Sequence, residues 1–397
     1  MNSGREAPLG ELCSFRHGGT PSKSRRDYWG GQIPWVSPKD MKVTLLTTAE
    51  DSITDAGVEG SATAVVPEGS ILVVVRSGIL AHTLPVARVG SPVAFNQDIK
   101  GIQVTSNRVT PEYIFWFLRA KEPEVLRQGV KKGATVHSLA SGFLESLRVP
   151  LHSLDEQRRI VDLLSRAENI VQMRREAEKK AKEIIPALFL DMFGDPATNP
   201  KGWQEASLGQ VIAEFRYGSS QKSSAHGDPV LRIPNVVDGN VDIRDLKFLS
   251  ASTSDRRRYL LASGDILFVR TNGNPDYVGR CAVFEPPTDH CWLYASYLIR
   301  GRPILDAIDP LFMQVQLSSV EGRRRLRARA RTAAGQYNIN VEGLRSTRII
   351  LPPLDRQHVF AELVRQTKEI LTGSATASAV TDTTFQSLLG AVFREVA

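Results

Sequence analysis

Short apolar runs alternate with polar segments over most of the chain. Runs at 71–75, 86–89, 99–104, 266–269, 281–284 and 297–300 are rich in Val, Ile, Leu or aromatic residues and are bounded by Gly, Pro, Ser or Asn. This composition predicts short β-strands. Segments 111–120 and 310–317 each begin with proline and continue with apolar residues, which predicts helices. The pattern therefore predicts globular parts of the α+β class.

Two other segments show the spacing of a coiled coil. From Ile160 to Leu188, the positions reached by alternating steps of three and four residues are all apolar or small, except for Arg174. The same frame moved by 200 residues, from Phe360 to Leu388, is weaker. A helix in a globular core is the alternative for one such stripe, but two stripes in one register favour two long spacer helices. The predicted seam positions are 160, 163, 167, 170, 174, 177, 181, 184 and 188 in the first helix, and 360, 363, 367, 370, 374, 377, 381, 384 and 388 in the second.

The ends of these helices also carry sequence signals. Pro186 lacks an amide donor and clashes with the preceding turn, so the first helix is expected to kink or restart there. Gly194 is the expected C-cap, and 195–202 is a turn-rich linker. Small residues at 373–379 would let a partner helix approach the second helix closely, which favours an antiparallel pair within the chain.

The chain repeats itself after 200 residues. The segment Phe15-Arg16-His17-Gly18 recurs at 215–218, and Leu154-Asp155-Glu156-Gln157 recurs at 354–357. The segment 69–76 recurs at 264–270, one residue shorter. The sequence between these anchors diverges almost completely. We therefore expect two copies of one scaffold that carry different surfaces.

Composition limits the remaining classes of protein. The 397 residues carry a net charge of +7, which is compatible with a polyanionic partner but does not establish one. No apolar run is long enough to span a membrane, and residues 1–6 lack the apolar core of a signal peptide. A cytoplasmic protein without a membrane partner is expected. The three cysteines, Cys13, Cys281 and Cys291, lack the spacing of a zinc site.

The positions of the basic residues are more informative than their number. Six arginines fall within 323–331 with no acid among them, which favours a phosphate partner over a solvated helix face. Lys131 and Lys132 occupy the corresponding place in the first half. Other candidates lie on loops where Arg, Asn or Gln could reach base edges, although for any one of them a surface-loop role without base contact is favoured. The predicted DNA-binding residues are Arg16, Thr20, Ser22, Lys23, Arg25, Arg76, Ser77, Lys131, Lys132, Arg216, Tyr217, Gln221, Lys222, Arg270, Thr271, Asn272, Arg323, Arg324 and Arg327.

Motifs of catalytic sites are absent or incomplete in the sequence. Asn274-Pro275-Asp276-Tyr277 is close to the Asn-Pro-Pro-Tyr motif of amino-methyltransferases, but Asp276 replaces the second proline and no Gly-rich cofactor loop accompanies it. The segment 98–100 suggests a nuclease only weakly, because no acid-rich strand precedes it. We therefore expect no catalytic residue, metal or cofactor on this chain.

Several motifs occur in an order that points to one protein family. They include Gly18-Gly19-Thr20-Pro21-Ser22, the helix start at Leu154 and the central segment 193–203, FGDPATNPKGW. Their order and doubled spacing resemble the specificity subunits of Type I restriction-modification systems over essentially the whole chain. The second repeat departs from the first, because it lacks Thr-Pro-Ser and Arg356 replaces Glu156. These departures leave its loop shape and partner contacts open.

The resemblance implies an architecture and a set of partners. Two target-recognition domains would be separated by two long antiparallel coiled-coil spacer helices with a pseudo-two-fold repeat. Each domain would read one half of an asymmetric, gapped site in double-stranded DNA, and the helices would set the gap. Two modification subunits and the restriction subunits would bind this chain and carry S-adenosylmethionine, ATP and Mg. The ranges are 1–152 and 196–352 for the recognition domains, and 153–195 and 353–397 for the central and C-terminal spacer helices.

Two other functions remain open from the sequence. The chain could be a fused DNA methyltransferase or endonuclease with degenerate catalytic motifs, or a scaffold that binds only proteins. Binding of S-adenosylmethionine by the isolated chain would favour the enzyme. Salt-dependent binding of duplex DNA by the reconstituted complex would exclude the protein-only scaffold.

Overall fold

The computed structural model of the protein describes residues 6–286, 290–333 and 335–393. Residues 1–5 and 394–397, at the two ends of the predicted ranges, lie outside the described residues. The chain divides into two compact units, of which unit 1 comprises residues 1–175 and 377–397 and unit 2 comprises residues 176–376. Each unit contains one predicted recognition domain and parts of both predicted spacer helices.

Unit 1 mixes short strands with short helices before the first long helix. Its helices are Leu9–Leu12 (α1), Asp55–Glu59 (α2), Pro111–Ala120 (α3), Glu122–Glu124 (α4), Phe143–Ser146 (α5) and Leu154–Ala181 (α6), the last of which ends in unit 2. Its strands are Glu6–Pro8 (β1), Cys13–His17 (β2), Trp29–Val36 (β3), Leu45–Leu46 (β4), Asp51–Ile53 (β5), Val65–Val66 (β6), Ile71–Val74 (β7), Arg76–Ser77 (β8), Val86–Val89 (β9), Val93–Phe95 (β10), Ile99–Val104 (β11), Val130–Lys131 (β12), His137–Leu139 (β13) and Arg148–Pro150 (β14).

The largest sheet of unit 1 has the strand order β2-β11-β7-β9-β4. Strand β7 lies at its centre, and all four of its side chains are fully buried. A strand that is covered on both faces reads as a continuous apolar run rather than an alternating one, which explains the pattern at 71–75. Smaller sheets with the orders β5-β3-β10-β6, β12-β13-β8 and β1-β14 complete the unit.

Unit 2 repeats this construction. Its helices are Ile184–Phe193 (α7), Leu208–Val211 (α8), Thr253–Tyr259 (α9), Pro310–Ser318 (α10), Val320–Arg327 (α11), Val341–Arg345 (α12) and Leu354–Val392 (α13), the last of which ends in unit 1. Its strands are Gln204–Ser207 (β15), Ile212–Tyr217 (β16), Asp228–Leu231 (β17), Val236–Val237 (β18), Asn240–Val241 (β19), Lys247–Leu249 (β20), Ile266–Val269 (β21), Thr271–Asn272 (β22), Cys281–Val283 (β23), Leu293–Tyr294 (β24), Leu298–Pro303 (β25), Arg331–Ala333 (β26), Gln336–Asn338 (β27) and Arg348–Leu351 (β28).

The sheets of unit 2 correspond to those of unit 1. Its main sheet has the order β16-β25-β21-β23, with the buried strand β21 in the position of β7. The pair β15-β28 matches β1-β14, and the small sheet β22-β27-β26 matches β8-β13-β12. The predicted strands at 86–89, 99–104 and 266–269 and the helix at 111–120 are confirmed to the residue. The internal repeat is therefore a structural one.

One buried glutamine explains why the Leu-Asp-X-Gln motif recurs. The side chain of Gln157 accepts a hydrogen bond from Thr110 N at 3.0 Å and donates one to His152 O at 2.9 Å. Gln357 likewise accepts from Asp309 N at 2.9 Å and donates to Pro352 O at 2.7 Å. In each unit the glutamine thus ties the first turn of a long helix to the N-cap residue of the preceding apolar helix, α3 or α10.

Ten of the eighteen predicted seam positions are exposed, so the predicted seam is wrong there: 163, 170, 174, 177, 184, 363, 370, 374, 377 and 384. Leu163 and Ile170 on α6 are 47% and 46% exposed, and Leu363 and Ile370 on α13 are 37% and 72% exposed. The buried face of each helix passes instead through the next residue, at Leu164, Val171 and Val364. Both helices carry two apolar stripes that lie side by side, and spacing alone could not show which stripe faces the core.

Within unit 1, the two long helices run antiparallel. Tyr113 contacts both His152, just before α6 begins, and Phe393, just after α13 ends, with ring centroids 6.1 and 5.2 Å apart. At the other end, Arg175 of α6 pairs with Asp382 of α13 at 3.0 Å. Most of the small-residue segment 373–379 is exposed, and only Ser378 is buried there.

The break in the first long helix lies just before Pro186. Helix α6 ends at Ala181, and α7 restarts at Ile184, which places Pro186 in the first turn. Gly194 caps α7 with φ 78°, as predicted. None of the helices in the described ranges is both long and apolar enough to cross a membrane.

Candidate nucleic-acid interface

In unit 1, the small sheet β12-β13-β8 brings together basic residues that are distant in sequence. Ser138 on the central strand pairs with Lys131 on one side and with Arg76 on the other. Cross-strand neighbours point to the same face of a sheet. Lys131 and Arg76 are exposed, and the Arg76 guanidinium forms an ion pair with Asp98 at 2.5 Å. Two of the predicted clusters therefore form one polar edge.

The Gly-rich loop of unit 1 lies beside this edge. A Cβ on Gly18 would lie 2.2 Å from Asn96 O, so only glycine permits the close approach of the loop to strand β10. The hydroxyl of Thr20 donates to Gln97 Oε1 at 2.6 Å, and the neighbouring Asp98 binds Arg76. The segment 96–98 thus connects the loop to the small sheet.

The other candidates in unit 1 are exposed or half-buried. They are Ser77 on β8, whose exposure is intermediate, and Arg16, Ser22, Lys23, Arg25 and Lys132. Arg25 forms an ion pair with Asp27 at 2.7 Å, and its guanidinium lies 4.6 Å from the centre of the Tyr28 ring. The hydrogen bond and charge of Asp27 raise the pKa of Arg25. Arg25 is therefore already paired locally.

Unit 2 forms the equivalent edge with different side chains. In the sheet β22-β27-β26, Asn338 pairs with Arg331 on one side and with Thr271 on the other. Tyr337 pairs with Asn272 and Thr332. This register places Thr271 at the position of Arg76, one residue later than the sequence repeat indicated. The hydroxyl of Thr271 also donates to Gln336 at 3.0 Å.

The loop after β16 lies beside this second edge. The guanidinium of Arg270 lies 4.7 Å from the centre of the Tyr217 ring, and Tyr217 Oη accepts a hydrogen bond from Val341 N at 3.2 Å. Gly218 approaches Ala295 O almost as closely as Gly18 approaches Asn96 O. A Cβ on Gly218 would lie 2.3 Å from that oxygen. The tyrosine ring, the arginine and the hairpin β26-β27 therefore form one surface.

Two further candidates in unit 2 bind carboxylates. Arg216 donates to Glu214, and this contact is the main cause of the lowered pKa of Glu214. Gln221 donates to Asp255 at 2.9 Å. The pKa of Asp255 is lowered, first by its hydrogen bond from Ser252 and then by the one from Gln221. Lys222, the next residue, is exposed.

The arginine-rich helix α11 is partly neutralised by acids outside its own stretch. Arg323 donates to Val278 O at 2.7 Å and to Asp276 O at 3.1 Å, and burial lowers its pKa. Arg327 pairs with the Asp276 carboxylate at 2.7 Å. Arg324 pairs with Glu321, and its hydrogen bond is the main cause that lowers the pKa of this glutamate to about 2. A structural role accounts for Arg323, and a DNA contact by Arg324 or Arg327 stays a prediction.

Sequence analysis missed the central strand of each edge. His137 and Ser138 in unit 1, and Gln336, Tyr337 and Asn338 in unit 2, were not among the predicted residues. The one repeated signal in the sequence was the basic residue at Lys131 and Arg331, 200 residues apart, and the strand register places Ser138 and Asn338 at the same spacing. Asn, Gln, Ser and His side chains offer donors and acceptors that suit base edges.

The candidate methyltransferase motif is a closed turn. The side chain of Asn274 accepts a hydrogen bond from Asp276 N at 2.9 Å, and Arg280 lies 3.8 Å from the centre of the Tyr277 ring. The amide oxygen and the ring that would hold a target base are therefore occupied. Burial raises the pKa of the Cys13 and Cys281 thiols to about 12. Among the residues that the structure describes, His, Cys, Asp and Glu form no group that could hold a metal ion.

Comparison with known proteins finds relatives for much of this sequence. Residues 5–183 match the family model described as the Type I restriction modification DNA specificity domain. The chain is 37% identical over 181 residues to the EcoR124I/EcoR124II specificity subunit of Escherichia coli, covering 44% of this chain and 45% of that protein. It is 28% identical over 284 residues to the EcoKI specificity subunit of Escherichia coli (strain K12), covering 66% of this chain and 60% of that protein. Residues 5–183 thus match a Type I DNA specificity domain, and the chain is similar in sequence to Type I specificity subunits.

Two solved structures resemble the fold of this chain over nearly all of its length. A chain from a structure that addresses complex assembly and conformational transition of the type I R-M system has a TM-score of 0.63 at 19% identity and covers 98% of this chain and 97% of that one. The S subunit from M. genitalium has a TM-score of 0.58 at 12% identity, with 99% and 96% covered. At these identities the likeness shows the fold. The sequence match to the EcoR124I/EcoR124II specificity subunit spans about half the length of that protein.

Proposed function

We propose that this chain reads an asymmetric, two-part site in double-stranded DNA for a Type I restriction-modification complex. The observation that carries the proposal is the repeated small sheet. One register holds Lys131, Ser138 and Arg76 in unit 1, and the same register holds Arg331, Asn338 and Thr271 in unit 2. Equal backbones with unequal side chains suit two readers of unequal half-sites.

The geometry and chemistry of these edges fit the major groove. A two-stranded β-ribbon fits into that groove, and hairpins β12-β13 and β26-β27 are such ribbons. Asn and Gln pair with adenine in two-point contacts, whereas Arg and Lys pair with guanine. The ribbon of unit 2 carries Gln336 and Asn338, and that of unit 1 carries Lys131 and its neighbour Lys132. The two units would therefore prefer different bases.

Methylome sequencing tests this function. A host that carries the complete system is expected to show one bipartite motif with methylated adenine in both halves. Exchanging the β26-β27 hairpin for a hairpin of different side chains should alter one half of the motif and leave the other unchanged. If both halves changed together, or if the motif were continuous, the two-reader proposal would be wrong.

We further propose that this chain is not catalytic and that its partners carry the chemistry. Two modification subunits would supply S-adenosylmethionine binding and methyl transfer, and restriction subunits would supply ATP- and Mg-dependent cleavage. The relatives are named specificity subunits, and the residues of the methyltransferase-like turn are occupied by other contacts. Titration of the isolated chain with S-adenosylmethionine should show no binding. A measurable affinity or methyl transfer without partners would favour a fused enzyme instead.

An apolar surface that occurs once in each repeat supports the proposal that two copies of one partner bind this chain. We name Leu163 and Ile170 on α6 the first outer face, and Leu363 and Ile370 on α13 the second outer face. Both faces carry a leucine and an isoleucine at the same repeat positions, and all four side chains are exposed. Contiguous exposed apolar surface marks protein-interaction sites, and we infer from its recurrence in both repeats that a partner protein covers these faces. Identical faces suit two identical modification subunits.

A further inference from the structure

Unit 2 contains an open cleft that is lined mainly by arginines. The cleft has a volume of about 420 Å³ and lies between the end of helix α11 and the strands β15 and β28. We call it the arginine cleft, and its lining comprises Glu205, Arg324, Arg325, Ala328, Arg329, Thr347 and Arg348. Four guanidinium groups around one opening make it a strongly charged site outside the polar edge described above.

The arginine at the base of the cleft is fixed by the fold. Arg325 donates to Pro196 O at 2.8 Å, to Arg348 O at 3.1 Å and to Glu321 at 2.6 Å. Its side chain is only 19% exposed. These bonds hold one positive charge in place before any ligand arrives, so a ligand would not have to order this side chain.

The arginines at the rim retain free donors. Arg324 uses Nε and Nη2 to bind Glu321, and Arg348 uses the same two atoms to bind Glu205. Arg329 is exposed, and its side chain has no hydrogen-bond or ion-pair partner in the part of the chain that the structure describes. Four arginines therefore face two carboxylates, which leaves the cleft with a net positive charge.

Unit 1 lacks the arginines of this cleft at most of the corresponding positions. The segment that corresponds to α11 there, Glu122–Gly129, contains a single arginine, Arg127, and two glutamates. Only Arg348 has a clear counterpart, because Arg148 holds the same place on the paired strand β14. The excess of positive charge is therefore a property of unit 2 alone.

We propose that the arginine cleft binds a phosphate of the DNA backbone beside the half-site that unit 2 reads. This inference rests on the proposed function. Arg329 lies two residues before β26, so the cleft continues from the base-reading hairpin. Guanidinium groups bind phosphate oxygens through paired, charge-assisted hydrogen bonds. Such a contact adds affinity without sequence preference. The two halves of the site would therefore differ in how strongly salt weakens their contacts.

The test measures how salt affects binding by the reconstituted complex. Duplex DNA that contains the motif is titrated at several salt concentrations with the wild type, Arg329→Gln and, as a control in unit 1, Arg148→Gln, which changes the counterpart of Arg348. The Arg329 side chain has no partner among the described residues, so its substitution should leave the fold intact, which circular dichroism checks. Arg329→Gln is expected to reduce the slope of log K against log salt by about 0.9, the value for one phosphate, and to weaken cognate and mutated sites equally. Arg148→Gln should retain the wild-type slope.

The possible outcomes separate this inference from the proposed function. An unchanged slope for Arg329→Gln, with sequence-specific binding by the wild type, would overturn the cleft proposal alone. A wild-type complex that cannot distinguish cognate from mutated duplex would overturn the proposed function. Calorimetry with inorganic phosphate completes the test. If Arg329→Gln abolished phosphate binding but left the DNA slope unchanged, the cleft would bind a free phosphate rather than the DNA backbone.

Discussion

The two outer faces lead to a quantitative prediction about assembly. Ile170 and Ile370 occupy equivalent repeat positions, but Ile170 is 46% exposed and Ile370 is 72% exposed. Because the second side chain has more apolar surface left to cover, a partner that buries both gains more from Ile370. Substituting each with serine, singly and together, should therefore weaken the binding of modification subunits to different extents.

The exposed fractions give the expected magnitudes. Complete burial of an isoleucine side chain contributes about 2.5 kcal/mol. Covering the exposed parts of Ile170 and Ile370 would then contribute roughly 1.2 and 1.8 kcal/mol. Since about 1.4 kcal/mol corresponds to a tenfold change in Kd, Ile170→Ser should weaken one binding event about 7-fold and Ile370→Ser the other about 20-fold. The melting temperature of the free chain should change little for Ile370→Ser, because most of that side chain is already in water, and should fall more for Ile170→Ser, whose side chain is more than half buried.

Native mass spectrometry of the titrated complex can separate the two binding events. Each single variant should lower the fraction of complexes with two modification subunits, and the double variant should also lower the fraction with one. Gln172→Ser and Thr372→Ser are matched controls, because a position two residues further along lies about 200° around the helix. Wild-type affinity for Ile370→Ser, or an equal loss for the controls, would refute the assignment of these faces.

Three further predictions concern reading and stability. Ser138→Ala should change only one half of the methylated motif and Asn338→Ala only the other, as methylome sequencing would show. Glu321→Gln should lower the free energy of unfolding by about 2 kcal/mol, because it weakens the charged hydrogen bonds of a buried carboxylate. Since the pKa of Glu321 falls from 4.5 to about 2, its stabilisation is present above 4.5 and is lost as the pH falls towards 2, which urea titrations across this range measure. Leu164→Ala should cost about 3 kcal/mol and Leu163→Ala under about 1 kcal/mol in the same assay, and equal costs would contradict the revised seam.

The buried strands and capped helices could be predicted from the sequence because local signals mark them. Strands β7 and β21 are covered on both faces, so each is a continuous apolar run between turn residues. Helices α3 and α10 begin with proline after a Thr or Asp cap. Because the chain repeats, each of these local patterns occurs once in each half of the sequence. These features depend on neighbours in sequence, which the chain itself displays.

The seam and the polar edges depended on contacts that the sequence does not display. Leu163 and Leu164 are both apolar, so only the packed core shows that Leu164 faces inward. Strands β12 and β26 are polar and short, and they exist because β13 and β27 pair them with β8 and β22. The countercharge of Arg327 is Asp276, which lies in a distant loop. Counting acids within 323–331 therefore overstated the free charge of the helix.

The fixed and variable residues of the repeat have separable physical roles. Gly18 and Gly218 permit the same close backbone approach, and Gln157 and Gln357 make the same helix anchors, so a change at any of them would disturb the fold. The side chains at 138 and 338 occupy the same backbone register, but the scaffold does not depend on them. Both are only partly buried, on a small surface sheet. Substitution there can alter one half-site while the scaffold and the other half stay unchanged. The arginine cleft extends this independence, since unit 2 alone can add a phosphate contact and so adjust affinity without altering the bases that either unit reads.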